Sequence, residues 1–132
     1  MRNRLTKKPL PKMRLIPKPQ DPEEMWTADA WSWAAAFEDC LWLKNVDAYR
    51  DYRVAGVVRQ LRVDPGRRSI EARISDGTAS LTARWDIQDP CTQLRAAPGT
   101  GLILHGPAGI GPDGEFLMLE PDFDVVPGPR MG

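Results

Sequence analysis

From residue 52 onward, apolar and polar positions alternate. Tyr52, Val54, Gly56 and Val58 interleave with Arg53, Ala55, Val57 and Arg59, and this period of two predicts a strand over 52–63. Gly56 inside it marks a bulge or a sharp bend. Pro65-Gly66 follows in turn-forming order. Ile70, Ala72 and Ile74 then share one face of a second strand, 69–75, with Glu71, Arg73 and Ser75 on the other. Asp76-Gly77-Thr78 reads as a hairpin turn. Leu81, Ala83 and Trp85 share a face of a third strand, 79–85, opposite Ser80, Thr82 and Arg84. Residues 86–99 break the alternation and hold a candidate short helix around 89–96. A fourth strand is predicted at 100–106, a glycine-rich loop at 107–114, and a fifth strand at 115–126 with Pro121 as a candidate interruption.

Upstream the period lengthens. Trp26, Ala30, Trp33, Phe37 and Leu41 recur every three or four residues, which is one face of a helix over 22–43. Asp21 offers an N-cap, Pro22 a first helical residue and Glu24 a capping-box partner, with Thr27 as a rival start. So much aromatic surface has to be covered, either by the rest of the domain or by a partner chain. Residues 1–20 have no such period and carry Pro9, Pro11, Pro17 and Pro19, so they read as an extended, flexible arm. The chain thus divides into a basic Pro-rich arm (1–20), an aromatic-rich helical segment packed on the β domain (21–48), the β domain itself (49–127) and a tail (128–132).

A small sheet hides its edges by closing, and a bent first strand can pair on both sides. The expected fold is therefore mainly β: a five-stranded OB-fold Greek-key barrel with an N-terminal helix and a basic extended arm. The stretches "YRVAGVV", "ARISDGTASLTARW", "PGTGLILHGPAG" and "GEFLMLEPDFDVV" resemble the bacterial OB-fold nucleic-acid-binding domain family over about residues 50–127. In that family the second strand ends in Asp-Gly-Thr or Asp-Gly-Ser and the third in an aromatic; Asp76, Gly77, Thr78 and Trp85 hold those places. The resemblance implies binding of single-stranded DNA or RNA. Because OB barrels also dock proteins, it speaks more for the fold than for the function.

Charge sharpens the expectation. The net charge is zero, yet the arm carries seven basic residues and no acid. Residues 21–47 carry seven acids against Lys44 alone. Residues 50–84 carry eight arginines against four acids, and residues 85–129 carry Arg95 against seven acids. Arginine pairs with phosphate two-pronged and stacks on bases, so Arg53, Arg59, Arg62, Arg67, Arg68, Arg73 and Arg84 are the candidate nucleic-acid contacts. Arg73 and Arg84 are expected to lie near one another on the outer face of the hairpin. The competing expectation is that these arginines form an ion-paired sheet face. Trp85 is a candidate stacking platform, though its face is shared with Leu81 and Ala83, which favours the core. The arm suits non-specific phosphate contact, or folding back on the acidic segment.

Other chemistry finds little support. His105 is the sole histidine, and Cys40 and Cys91 lack metal-ligand spacing, so no catalytic residue, metal or cofactor is expected. The loop "GPAGIGPDG" lacks the lysine and hydroxyl ending of a phosphate-cradling loop. One Cys40–Cys91 bridge is conceivable, but two cysteines fit a reduced, cytoplasmic protein better. No apolar run reaches the length of a membrane span. The expectation is a non-enzymatic binding protein. Its alternative is a protein-interaction module docking through the 22–43 helix or the acidic half of the barrel.

Overall fold

The computed structural model describes residues 21–86 and 96–129. The arm, Cys91, Arg95 and nearly all of the candidate helix around 89–96 lie outside them. The described elements are α1 (Pro22–Ala34), β1 (Asp51–Asp64), β2 (Ser69–Ser75), β3 (Ser80–Asp86), β4 (Gly101–Ile110), β5 (Phe116–Leu119) and β6 (Asp122–Val126). The sheet runs β1-β2-β3-β5-β4-β6, and a further β1–β4 pairing closes it into a ring. β5 and β6 act as one interrupted strand. β5 pairs with Ala108–Ile110 of β4, and β6 with Gly101–His105.

β1 closes the ring by changing partners midway. Residues 51–57 pair with β4 and residues 57–64 with β2. The bulge or bend expected at Gly56 falls instead at Arg59, where the β2 register slips between Val58 and Gln60. The sequence phase agrees with this: apolar positions are even through Val58 and odd from Leu61. Gly56 serves packing. A Cβ there would stand 2.8 Å from Ile74 Cδ1 and 2.9 Å from Ile74 Cβ, so the glycine makes room for a core isoleucine.

The barrel interior holds Val54, Val58, Ala72, Ile74, Leu81, Ala83, Leu102, Leu104 and Met118, all buried. Trp85 belongs with them. Its indole N–H donates to the Pro121 carbonyl at 2.9 Å, and its ring meets Phe123 edge-on with centroids 5.2 Å apart.

β4 runs on through "GPAGI", where a loop was expected. Residues 106–107 lie between the stretch paired with β6 and the stretch paired with β5, opposite the Glu120–Pro121 break. There Pro107 withholds no ladder hydrogen bond.

α1 starts as expected. Asp21 is its N-cap and accepts from the Glu23 N–H at 3.0 Å. It ends at Ala34, well short of 43, because Ala36 and Phe37 turn to bond the carbonyls three residues back. Phe37 and Leu41 therefore lie beyond the helix, and Leu41 bridges to Val54. The aromatics fill gaps between these turns and the barrel. Trp31 stacks on Trp42 at 5.9 Å, and Trp33 packs on Phe37 while donating to the Pro127 carbonyl at 2.9 Å. A second small core of Cys40, Ala55 and Ile103 lies beneath Trp33 and Phe37.

The hairpin turn fastens this N-terminal segment to the barrel. Asp76 is fully buried; one carboxylate oxygen accepts the Leu43 N–H at 2.8 Å, and the other accepts the Thr78 N–H at 2.9 Å and its hydroxyl. The Thr78 hydroxyl accepts the Lys44 N–H at 3.2 Å.

Candidate nucleic-acid interface

After the bulge, Gln60 and Arg62 of β1 face outward with Arg73 and Glu71 of β2, their register partners. Arg73 faces Thr82 across the hairpin, and Glu71 faces Arg84. Arg73 and Arg84 are thus diagonal neighbours, each beside a different residue of the facing strand. Arg62, Arg67, Arg84, Glu71 and Thr82 line an open groove, which the 111–115 loop between β4 and β5 borders with Asp113 and Glu115, and β5 with Phe116. Arg73 and Gln60 continue the groove toward α1. A second hollow joins Arg73 to Arg59, Glu23 and Thr78.

The face is both arginine-rich and ion-paired. Arg73 meets Glu115 at 2.9 Å across the groove. Arg84 places two nitrogens on one Glu71 oxygen, at 2.9 and 3.0 Å. Arg59 grips Glu23 two-pronged, at 2.6 and 2.7 Å, and lies 4.2 Å over the Trp26 ring. Arg59 holds the Glu23 carboxyl below its usual range, chiefly through this hydrogen bond. Arg67 is 3.8 Å from Asp64 and largely exposed. Arg62 and Arg68 form no ion pair among the described residues.

Of the candidate contacts, the groove therefore unites Arg62, Arg67, Arg73 and Arg84, with Arg59 at its α1 end. Arg68 is exposed in the β1–β2 loop and does not line the groove. Arg53 lies elsewhere: it pairs with His105 on the β4 side and meets Asp39 at 2.8 Å. Trp85, buried and hydrogen-bonded, presents no face to a base. Of the tryptophans in the helical segment, Trp42 is buried and Trp26, Trp31 and Trp33 are partly buried. Two features were not anticipated. The acids of the 111–115 loop face the arginines from a strand distant in sequence. Tyr49, just before the first strand, is 81% exposed. Alternation, the signal used for the barrel, reaches neither feature.

Among the described residues, no cluster of three or more His, Cys, Asp or Glu is placed to hold a metal ion. No helix among them is long and apolar enough to cross a membrane.

Solved structures share this architecture. The HINa domain of Ifi202 in complex with 20-bp dsDNA matches with a TM-score of 0.53 at 15% identity, over 70% of this chain and 50% of that one. RecG bound to a three-way DNA junction matches at 0.53 and 15%, over 69% and 14%. An OBody bound to hen egg-white lysozyme matches at 0.54 and 13%, over 68% and 96%. The fold is an OB-fold. At these identities the likeness carries the fold alone. This chain spans half or less of the HIN-domain chains it matches. No family model and no curated protein matches it.

Proposed function

We propose that this OB-fold chain binds single-stranded nucleic acid, without catalysis, along the outer face of β1, β2 and β3. The observation that carries the reading is the convergence of Arg62, Arg67, Arg73 and Arg84 on one open groove. That groove lies between the β1–β2 and β4–β5 loops, where OB barrels take oligonucleotides. Two of the structures with this fold, Ifi202 HINa and RecG, are bound to DNA.

The existing ion pairs set the terms of binding. The Arg73–Glu115 pair is well exposed at both ends, and pairs of that kind are worth about 0–1 kcal/mol. A phosphate can take the place of Glu115 at small cost, and release of counterions then adds to the affinity. Binding is expected to be strong at low salt and to fall steeply as salt rises. The seven basic residues of positions 1–20 are a further source of non-specific phosphate contact.

A titration of a labelled oligothymidylate at several salt concentrations tests this. Arg73→Ala/Arg84→Ala should weaken binding roughly ten-fold or more at low salt and flatten the salt slope by about 1–2. No binding by the unaltered chain at low salt, or an unchanged double variant, overturns the proposal. Matched oligouridylate titrations assign DNA against RNA. Glu115→Gln, which removes the competing carboxylate, should tighten binding roughly two- to five-fold with little effect on melting temperature. Weaker binding would mean that Glu115 positions Arg73 for the ligand.

A further inference from the structure

The outer face does not end at β3. Pairing places Thr82 beside Leu117 and Arg84 beside Leu119, while Leu117 pairs on to Gly109 of β4. Register partners share a face of the sheet, so the row Gln60–Arg73–Thr82 continues into Leu117 and the row Arg62–Glu71–Arg84 into Leu119. The surface changes character at that point. Leu117, Leu119, Ile110, Pro107 and Tyr49 line a shallow apolar groove. Leu119 is 55% exposed, Ile110 54% and Tyr49 81%. Tyr49 also holds a left-handed backbone, φ +68°, fixed by its N–H on the Ala108 carbonyl. A bulky residue in that region is strained, and strain of this kind gathers at ligand sites.

A single strand of nucleic acid has the same two-part character, with charged phosphates along one edge and flat apolar bases along the other. We infer that the Tyr49–Ile110–Leu119 groove takes unpaired nucleobases of the strand whose phosphates lie on the arginine rows, with the Tyr49 ring as the stacking platform. The inference rests on the proposed function and adds its base-binding half. The occupant follows from continuity: the apolar groove shares Leu117 with the arginine groove, and its Leu117 and Leu119 stand in the arginine rows. Aromatic platforms beside a cationic track are how sequence-tolerant single-strand binders hold bases.

The test compares oligothymidylate with an abasic strand of the same length. Tyr49→Ala and Leu119→Ser should each weaken oligothymidylate binding roughly ten-fold and leave the salt slope unchanged, since no phosphate contact is lost. Tyr49→Phe should bind like the unaltered chain. On the abasic strand, Tyr49→Ala should change nothing. Equal losses on both strands would overturn the inference. So would full oligothymidylate binding by Tyr49→Ala while Arg73→Ala/Arg84→Ala remains weakened; if sedimentation then showed self-association lost in Tyr49→Ala, the groove would be a contact between copies of this chain. Failure of the unaltered chain to bind either strand at low salt would sink the parent reading as well. Tyr49 is so exposed that its variants should melt with the unaltered chain.

Discussion

Gly77→Ala is expected to cost about 2–5 kcal/mol of stability. Two effects combine. Gly77 holds φ +87° in the hairpin turn, a conformation that charges an alanine about 1–2 kcal/mol. Its Cβ would also stand 2.7 Å from the Thr27 carbonyl oxygen and 2.8 Å from Trp31 Cβ, both on α1. Neither atom ends a flexible side chain, so the helix must lift off the turn. Gly114→Ala provides the comparison, because Gly114 has φ +85° with nothing within 4 Å of the added Cβ. It should lose the conformational part alone. Urea titration of both variants measures the difference, and equal losses would show that α1 does not pack on the turn.

Asp76→Ala is expected to cost about 3 kcal/mol, since a buried donor left without its acceptor costs roughly 1–3 kcal/mol. The substitution strands the Leu43 and Thr78 N–H groups in a site where Asp76 itself is fully buried. It should also loosen residues 42–44, so tryptophan emission, through Trp42, should shift to the red before the barrel melts. Asp76→Asn retains one accepting oxygen and should recover part of the loss. A cost under about 1 kcal/mol would mean that the turn holds without this clasp.

The strands were legible because one face of each is buried and the side-chain period is two. β2 falls at the residues the alternation marks, and β1 and β3 within one residue at each end. Even the bulge at Arg59 is written in the slip of phase between Val58 and Leu61, although Gly56 drew attention away from it. The end of α1 was not legible. A three-to-four spacing of large aromatics looks the same whether the residues follow one helix or fill irregular turns against a barrel, and only the tertiary fit of Phe37 and Leu41 separates the two. The reach of β4 was hidden because Gly and Pro normally punctuate, whereas Pro107 falls where the partner strand is broken. At the site, sequence found the arginines of the groove but not their acidic partners. Glu115 meets Arg73 only through the β3–β5 crossover, and no local pattern joins residues so distant. Arg53 was misplaced for a related reason: it lies on the half of β1 that pairs with β4.

β1 serves two ladders, and the two differ in what the chain must do to make them. Pairing of β1, β2 and β3 closes only the short loops at 65–68 and 76–79, whereas pairing of β1 with β4 brings Val57 to Gly101. Short closures cost less entropy and form sooner. On that ground Arg62, Arg73 and Arg84 are expected to come into register before β5 brings Glu115 to them. A chain paired only through β1, β2 and β3 would show the arginine face without its counterweight from the β4–β5 loop, and is expected to attract polyanions more than the finished barrel does.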